Sequence, residues 1–510
     1  MRLSLFSKSL SNRSLLPALA DSDRRMQKLQ PHSHSNRPQQ SIRRIANREF
    51  RSAHLVGICG SGMKALAELL IGLRWNVTGS DLECPTEKIS SLQQRSLRIH
   101  QGHDARFLPP DTDVLIYSPA IGHDNPERIT AAKRKIPQLS YSQMLGQLMQ
   151  TRLGISIAGT HGKSTTTAMV ACILTDAGKS PSAIVGAEIC GRNVSGWAGD
   201  GDLFVVESCE YQRNFLDLSP RCAVILGIEP DHFDYYQNLA DMQEAYSEFM
   251  AAVPTEGCLI VRKDCPTSIA AAQSSIAPVL TFGPSSDADW WATDVRRTET
   301  GSRFRVFYRR KFFTEISLQI PGRHNVNNAL AAVAICHHLG VSAQTVHNSL
   351  QEFRGIARRF EHVGSWRGVT LIDDYAHHPT AVKATLQTAR EKFGHRRIWC
   401  AFQPHQVLRT QSLLKEFSES FTTADEVLFV PIYTAREDNT DLAKTTVCEL
   451  VARMSEQGQK IRFLPSLDQL IRTLEDETLP GDVLITMGAG DIDRVQHEFT
   501  RRLQRNHSAR

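Results

Sequence analysis

The feature that most constrains the fold of this chain is segment 154–167, which reads Gly-Ile-Ser-Ile-Ala-Gly-Thr-His-Gly-Lys-Ser-Thr-Thr-Thr. Its first part is a short apolar run that predicts a buried strand, and the apolar spacing after residue 167 predicts a helix. Between them lies a glycine turn followed by Lys163 and Ser164. In such a unit the backbone N–H groups and the helix N-terminus face an anion, the lysine reaches the β- and γ-phosphates, and the serine can ligate Mg²⁺. The segment therefore predicts a phosphate-binding loop of the short form G-x-x-G-K-S, against the competing interpretation of a chance Gly-Lys-Ser turn.

Length, charge and cysteine content limit the class of protein. A chain of 510 residues is long enough for three or four domains of about 150 residues. Residues 1–50 hold ten Lys or Arg against three Asp or Glu, a net charge of +7, which leaves about −2 for the rest of a chain whose total is +5. The body therefore gives no electrostatic sign of nucleic-acid binding, and no run reaches the roughly 18 apolar residues of a membrane span. The eleven cysteines form no C-x-x-C pair, and several lie in apolar runs, which is typical of a reducing cytosol and predicts a cytoplasmic protein.

The chain divides into a tail and three blocks. Residues 1–50 are rich in Ser, Arg, Gln and Asn, which predicts a disordered basic tail; a mis-assigned start codon, a transit peptide and a nucleic-acid contact are alternatives. Strands then alternate with helices in blocks 51–150, 151–355 and 356–505, which predicts parallel sheets with ligands at the carboxyl ends of the strands. The predicted strands include 54–58, 76–80, 114–117, 203–207, 222–227, 370–373, 397–402, 426–430 and 483–487, with a hairpin within 290–320.

The first block carries a glycine fingerprint after its first strand. Gly60, Gly62 and Ala65 fit G-x-G-x-x-G/A, and Asp81 follows about twenty residues later. This pattern lets a pyrophosphate approach the backbone. NAD and a UDP-sugar satisfy it equally, and a structural glycine turn is the third interpretation.

The second block places polar residues at two strand ends. Glu207 ends a Leu-Phe-Val-Val-Glu strand, and Asp231-His232 lies just past another strand. In a P-loop protein, acids at neighbouring strand ends complete an Mg²⁺ site. Because imidazole is an unusual ligand for Mg²⁺, His232 also fits a hydrogen-bonded loop histidine.

Two further polar groups precede the third block. Asn325 and Asn328 open an apolar helix, where paired amides can bind an adenine edge, although Asn325 also fits a helix N-cap. The pair Arg358-Arg359 fits a solvated surface or, at an interdomain cleft, a clamp on a γ-phosphate.

The third block carries two His-bearing loops, each directly after an apolar strand. One loop reads Ile372-Asp-Asp-Tyr-Ala-His-His-Pro, and the other, 402–410, contains His405 and Arg409. Two such loops at strand ends predict a ligand-binding face, and the Cys and His spacings fit no zinc motif.

Taken together and in this order, the motifs resemble the Mur ligases of bacterial cell-wall synthesis, and within them the alanine-adding branch. The matching segments span about residues 54–492 and read GICGSGMKALAE, GTHGKSTTTAM, VVESCEY, IEPDHFDYY, PGRHNVNNALAA, RRFE, DDYAHHPT, FQPHQVLRT and GAGDI. The resemblance implies an α/β fold of three domains: a Rossmann-like N-terminal domain that binds the UDP-sugar, a P-loop central domain that binds ATP, and a Rossmann-like C-terminal domain that binds the amino acid. The implied activity is the ATP- and Mg²⁺-dependent joining of L-alanine to the carboxylate of UDP-N-acetylmuramate through an acyl phosphate.

The resemblance also implies roles for individual residues. The implied catalytic residues are Lys163, His232 and Arg359. The implied ATP contacts are Gly159, Thr160, His161, Gly162, Lys163, Ser164, Thr165, His324, Asn325, Asn328, Arg359 and Asp374. The implied Mg²⁺ ligands are Ser164, Glu207 and His232. The implied UDP-sugar contacts are Gly60, Ser61, Gly62, Met63, Ser80, Asp81 and Ser118, and the implied amino-acid contacts are Tyr375, His405 and Arg409.

Three departures from the wider family bear on these roles. Residues 232–261 contain no lysine, so the bridging carbamylated lysine of other Mur ligases has no counterpart, as in the alanine-adding branch. Gly227 replaces a frequent Asn, and Gln406 replaces a cation that could bind a carboxylate. The alternatives are a peptide-recycling ligase, which shares the AHHPT loop but not usually the QPH loop, an NAD-dependent oxidoreductase that would leave Lys163 idle, and a non-catalytic nucleotide-binding regulator.

Overall fold

The computed structural model describes residues 44–45, 48–84, 97–434 and 440–508. These residues form sheets of five, ten and six strands, preceded by a short antiparallel hairpin of Arg44–Ile45 (β1) and Arg48–Glu49 (β2). Helices connect the strands of each sheet. The predicted α/β fold with N-terminal, central and C-terminal regions is therefore confirmed, while the domain boundaries stay a prediction.

The N-terminal sheet is entirely parallel. Its strands are Ser52–Val56 (β3), Asn76–Asp81 (β4), Arg98–Gln101 (β5), Val114–Tyr117 (β6) and Gln138–Ser140 (β7). Its helices are Ser61–Gly72 (α1), Pro126–Lys133 (α2) and Tyr141–Met149 (α3), with a 3₁₀ turn at Ala105–Phe107. The strand order is β5-β4-β3-β6-β7. This order places the first glycine turn, after β3, between the ends of β4 and β6.

The central sheet combines a parallel core with antiparallel strands at both edges. Its strands are Leu153–Ala158 (β8), Ser182–Ile184 (β9), Gly196–Trp197 (β10), Leu203–Glu207 (β11), Cys222–Ile225 (β12), Cys258–Arg262 (β13), Val279–Gly283 (β14), Trp290–Arg297 (β15), Ser302–Tyr308 (β16) and Lys311–Leu318 (β17). Its helices are Lys163–Asp176 (α4), Leu239–Ala251 (α5), Pro266–Ala271 (α6), Arg323–His338 (α7) and Ala343–Glu352 (α8), with 3₁₀ turns at Tyr211–Asp217 and Ala272–Ser274. The order is β10-β9-β11-β8-β12-β13-β14-β15-β16-β17, and β15–β17 form the predicted hairpin region.

The C-terminal sheet is parallel except at one edge. Its strands are Glu361–Trp366 (β18), Val369–Asp374 (β19), Ile398–Phe402 (β20), Glu426–Phe429 (β21), Ile461–Phe463 (β22) and Val483–Met487 (β23), in the order β18-β19-β23-β20-β21-β22. Its helices are Pro379–Phe393 (α9), Val407–Ser412 (α10), Leu414–Ser418 (α11), Thr440–Glu456 (α12), Leu467–Glu477 (α13) and Asp493–Ser508 (α14). No helix in the part of the chain described here is long and apolar enough to cross a bilayer.

The strand register aligns the ends of neighbouring strands, so that the polar loops after them start next to one another. In the central sheet Glu207 pairs with Ile157 and Ile225 pairs with Ala158, so the loops after β8, β11 and β12 begin side by side. In the C-terminal sheet Asp374 and Phe402 both pair with Met487, so the loops after β19 and β20 flank the end of β23. Both faces of these strands are buried, so a one-residue slip would exchange the side chains that pack on each face and disrupt the core on both sides.

Most of the predicted disordered tail lies outside the described residues, so its disorder stays a prediction that truncation tests. Phe50, which the sequence placed in the tail, is 4% exposed and its ring packs edge-on against Trp75. The truncation is therefore best made before the β1–β2 hairpin, by deleting residues 1–43. Because their composition offers little apolar surface to bury, we expect Tm to change by less than about 2 °C and ADP release to stay within twofold. A fall in Tm of several degrees on differential scanning calorimetry would show that the segment packs on the body.

Candidate active site

A cleft of about 520 Å³ lies between the central and C-terminal sheets. Most of the residues predicted to bind ATP or metal line it: Thr160, His161, Gly162, Lys163, Ser164, Thr165, Glu207, His232, His324, Asn325, Asn328, Arg359 and Asp374, together with Tyr375. Gly159, His405 and Arg409 do not line it, and the glycine fingerprint lies apart, at the end of β3. The structure thus brings the predicted ATP-binding set together at one place.

The phosphate loop has the backbone geometry that its sequence predicts. Gly162 has a φ of 83° and is the N-cap of α4, so the helix begins directly at Lys163. A Cβ at Gly162 would lie 2.3 Å from the Asn328 side-chain oxygen, so a larger residue would meet both backbone strain and a clash. Because a glycine N-cap has no side chain to bond the first N–H groups of α4, these groups are available to an anion.

Lys163 is paired with a carboxylate that the sequence did not single out. Its Nζ donates to the two carboxylate oxygens of Glu210 at 2.9 and 3.0 Å and to the Gly159 carbonyl at 2.7 Å. The Glu210 side chain is 1% exposed. Burial alone would raise the pKa of Glu210, but Lys163 and His232 lower it to about 2. Glu210 therefore holds the lysine in place as a buried anion.

Three predicted metal ligands face the same cleft. Ser164 is buried at the start of α4, and one carboxylate oxygen of Glu207 accepts from the Gly186 N–H at 2.8 Å. His232 has a φ of 54°, and its Nε2 lies 3.7 Å from Glu210. A hydroxyl, a carboxylate and an imidazole around one cavity fit a divalent cation that also binds phosphate oxygens, with the imidazole at its margin.

The start of α7 differs from one interpretation of the sequence. The N-cap is Gly322, with a φ of 101°, so the alternative interpretation of Asn325 as the N-cap is wrong. Asn325 instead lies inside the first turn, where its Nδ2 donates to the Pro321 carbonyl at 2.7 Å and its Oδ1 accepts from Asn328 at 3.1 Å. The helix begins early because Gly322 adopts the positive φ that turns the chain after Pro321. The two amides form a pair at the edge of the cleft, next to His324.

The two arginines of the Arg-Arg-Phe segment have different environments. Arg358 donates to Asp373 in β19 at 3.1 Å and to the carbonyl of Gly488, just after β23, at 2.9 Å. It therefore links two neighbouring strands of the C-terminal sheet. Both guanidinium groups lie over the ring of Tyr375, at 5.1 Å for Arg358 and 5.0 Å for Arg359, but of the two only Arg359 lines the cleft. Arg359 is therefore the member of the pair that can meet a phosphate.

Asp374 organises the loop that carries Tyr375. Its carboxylate accepts from the N–H groups of Phe360 and Ala376 and from the Thr385 hydroxyl, at 2.8–3.2 Å. Burial raises the pKa of Asp374, despite the nearby Arg359. The Asp374 side chain therefore fixes the backbone that forms the wall of the cleft.

The predicted amino-acid residues form a second cluster beside the cleft. Arg409 is 3% exposed; its Nε donates to Asp231 at 2.7 Å, and its Nη1 lies 3.1 Å from His405 Nδ1. The ring of His405 stacks on Tyr433 with centroids 5.7 Å apart. His377 lies between Tyr375 and His405, with ring centroids at 5.3 and 5.8 Å. These contacts connect the two predicted ligand loops of the C-terminal sheet.

The glycine fingerprint has the expected strand–turn–helix geometry. Gly60 is the N-cap of α1, which contains Ser61, Gly62 and Met63, and the Cys59 N–H donates to Asp81 at 2.8 Å. The Ser118 N–H donates to the Val56 carbonyl at 3.0 Å, which places Ser118 beside this turn. Ser80 is fully buried, its hydroxyl donates to Glu127 at 2.7 Å and its carbonyl accepts from the Gly57 and Ile58 N–H groups, so the structure does not present this residue to a sugar nucleotide.

Two residues that the sequence did not assign, Glu229 and His378, meet the predicted ATP contact His161 at the phosphate loop. The metal-capable atoms of His161, Glu229 and His378 lie within 4.8 Å of one another. The Glu229 carboxylate accepts from the Thr380 hydroxyl at 2.7 Å, and the His378 Nε2 donates to the Pro230 carbonyl at 3.1 Å. The sequence signal for this cluster was weak, because its members come from three separate loops.

Comparison with known proteins places this geometry in a family. Three family models match: "Mur ligase family, catalytic domain" at residues 52–153, "Mur ligase middle domain" at 157–336 and "Mur ligase, glutamate ligase domain" at 358–490. A UDP-N-acetylmuramate–L-alanine ligase from Salinibacter ruber is 38% identical over 89% of this chain and 95% of its own length.

Two solved structures share the fold. The UDP-N-acetylmuramate-alanine ligase of Thermotoga maritima matches with a TM-score of 0.75 and 28% identity, over 89% of this chain and 99% of that one. A murein peptide ligase from Psychrobacter arcticus matches with a TM-score of 0.69 and 26% identity, over 88% and 98%. With three family models in order and a relative 38% identical across nearly its whole length, the chain belongs to the Mur ligase family.

Proposed function

We propose that this chain joins L-alanine to the carboxylate of UDP-N-acetylmuramate and releases ADP and phosphate from ATP. The observation that carries the proposal is the single cleft onto which the phosphate loop, Glu207, His232 and Arg359 converge. An oxidoreductase that used only the Gly60-x-Gly62 turn would need none of these residues. A non-catalytic nucleotide-binding protein would not need a second loop cluster beside the cleft. The names of the relatives support L-alanine as the amino acid.

The ATP site follows from the cleft. The N–H groups at the start of α4 and the Lys163 ammonium would bind the triphosphate, and His324, Asn325 and Asn328 would bind the adenine. Ser164 and Glu207, with His232 nearby, would hold Mg²⁺, which supplies positive charge that neutralises the phosphate oxygens. Arg359 would face the γ-phosphate from the C-terminal side, since its guanidinium is held over Tyr375.

The proposed reaction has two steps. The muramate carboxylate attacks the γ-phosphorus, ADP leaves, and an acyl phosphate forms. The alanine amine then attacks the acyl carbon, phosphate leaves, and the amine loses a proton as the amide forms. Lys163 and Arg359 supply fixed positive charge where negative charge gathers, which lowers the repulsion between carboxylate and triphosphate.

The remaining contacts complete the proposal. Gly60, Ser61, Gly62, Met63, Asp81 and Ser118 would bind the UDP part at the end of β3, while Tyr375, His405 and Arg409 would bind L-alanine. The soluble nucleotide substrates are consistent with work in the cytoplasm. A murein peptide ligase activity is the second candidate, which the Psychrobacter arcticus structure favours at lower similarity.

The test is ADP release measured with ATP, Mg²⁺, UDP-N-acetylmuramate and L-alanine, with each substrate omitted in turn. We expect release only when all are present. ADP release that ignores UDP-N-acetylmuramate, or reduction of NAD by the same preparation, would contradict the proposal.

A substitution at Glu207 tests the metal assignment. Glu207→Ala should raise the Mg²⁺ concentration for half-maximal rate by about tenfold or more, because a charged oxygen ligand is lost. The KM for UDP-N-acetylmuramate should change less. The matched control is Glu256→Ala, which removes an exposed carboxylate at the opposite end of the sheet. An unchanged Mg²⁺ titration in Glu207→Ala would reduce Glu207 to a strand-end acid that binds Gly186.

A further inference from the structure

Three consecutive residues of the central region each contact the C-terminal region. These residues, 229–231, follow β12 and immediately precede His232. Their partners, in order, are Thr380, His378 and Arg409, with donor–acceptor distances of 2.7, 3.1 and 2.7 Å. The loop that carries His232, a proposed metal-site residue, therefore also carries Asp231, which contacts Arg409 of the amino-acid cluster.

The third contact is a buried ion pair. The side chains of Asp231 and Arg409 are 7% and 3% exposed. The same Asp231 oxygen accepts from the His232 N–H at 2.7 Å. One carboxylate therefore fixes both a guanidinium from the C-terminal region and the backbone of His232.

The guanidinium is held on two of its three nitrogens. Nε donates to Asp231, and Nη1 donates to the His405 carbonyl at 3.0 Å and lies 3.1 Å from His405 Nδ1. Among the residues that the structure describes, Nη2 makes no hydrogen bond. Because a guanidinium is planar, fixing Nε and Nη1 also fixes the direction in which Nη2 donates.

We propose that Asp231 is a positioning residue for the amino-acid substrate: it holds Arg409 across the domain boundary so that Nη2 meets the substrate's α-carboxylate. This inference rests on the proposed function. It also makes amino-acid binding depend on the conformation of the 229–232 loop, and so on the nucleotide side of the cleft. Alanine binding then requires residues of the central and C-terminal regions, although the α-carboxylate of the substrate contacts only Arg409.

The test is Asp231→Asn, which keeps the size of the side chain and removes its charge. The alanine KM should rise at least about tenfold, because the charge-assisted bond that orients the guanidinium is lost. The ATP KM should stay within about twofold. In a double variant with Arg409→Lys, the effects should be strongly non-additive, because both changes remove the same oriented donor.

The matched control is Asp482→Asn, which breaks another Asp–Arg pair, with Arg397 at 2.6 Å, inside the C-terminal region. It should lower Tm and leave the alanine KM unchanged. Should Asp231→Asn not fold, Asp231→Glu carries the same test, since it keeps the charge and shifts it by one methylene, with an intermediate alanine KM expected.

The outcomes separate the inference from the proposed function. An alanine KM that is unchanged or lowered in the Asp231 variants would overturn the inference alone, and so would additive effects in the double variant. Absence of alanine-dependent ADP release by the parent enzyme would overturn the proposed function and the inference with it.

Discussion

Lys163→Ala should lower kcat for ADP release by about 10²–10³-fold, the usual loss when one donor aimed at developing charge is removed. The lysine begins α4 at the phosphate loop, and its ammonium is already held in the cleft by Glu210 and the Gly159 carbonyl. ATP would compete with Glu210 for this ammonium, and the interaction would strengthen as charge moves on the γ-phosphate.

Lys163→Ala should also lower the stability of the folded protein. Removing Lys163 leaves the Glu210 carboxylate, 1% exposed, without its main partner, and breaking a buried pair on one side costs about 3–5 kcal/mol. The double variant Lys163→Ala, Glu210→Gln removes the uncompensated charge. It should therefore recover much of the lost Tm and none of the lost activity.

Calorimetry and ADP release on the two variants separate the two roles of Lys163. If activity returned together with Tm in the double variant, Lys163 would be a structural residue and the ATP-site assignment would fail. An ADP release rate near that of the parent in the single variant would have the same meaning.

Arg409→Lys should raise the KM for L-alanine by about tenfold or more and leave the KM for ATP within about twofold. A guanidinium can bond Asp231, His405 and a substrate carboxylate at once, whereas an ammonium is a point charge without this fixed geometry. Gln406 has a φ of 68° and offers no charge to compensate.

Arg397→Lys is the matched control for this substitution. Arg397 pairs with Asp482 on the same sheet, away from the cleft, so the alanine KM should not change. Equal alanine KM values for the parent and Arg409→Lys enzymes would place the carboxylate site elsewhere in the C-terminal region.

The strands were predictable because their burial is continuous. The strands at 114–117, 203–207 and 483–487 have the predicted bounds, since Val, Ile and Leu fill both faces of a parallel sheet. The bounds of other strands shift by one or two residues, as in β3, which was predicted at 54–58 and spans Ser52–Val56. Local pattern identifies an element better than its ends, because terminal hydrogen bonds depend on the neighbouring strands.

The candidate site was predictable only as separate motifs. The phosphate loop and the strand-end acid each carry a local signal, and the structure brings them to one cleft. The pairs Lys163–Glu210 and Asp231–Arg409 join residues 47 and 178 positions apart, and no periodicity or spacing records such contacts. Sequence reasoning named Lys163, Asp231 and Arg409 but not Glu210, and it predicted neither buried ion pair.

Gly227 shows how the structure can explain a departure from the family pattern. Its φ is 140°, a region that glycine occupies without strain, and its carbonyl accepts from the Thr160 N–H at 2.9 Å. The residue therefore supports the phosphate loop through its backbone. The loss of a polar side chain at this position leaves that support intact.

The central claim, that this enzyme adds L-alanine to UDP-N-acetylmuramate, is tested most directly by one competition reaction. The enzyme is incubated with UDP-N-acetylmuramate, ATP and Mg²⁺ and with equal concentrations of L-alanine, L-serine, glycine and a free murein-type tripeptide. The UDP-linked products are then separated by mass. We expect the L-alanine adduct as the main product, with minor serine and glycine adducts, since one methyl or hydroxyl is worth about 1–3 kcal/mol in a small pocket. A dominant tripeptide adduct, or no amide product at all, would contradict it.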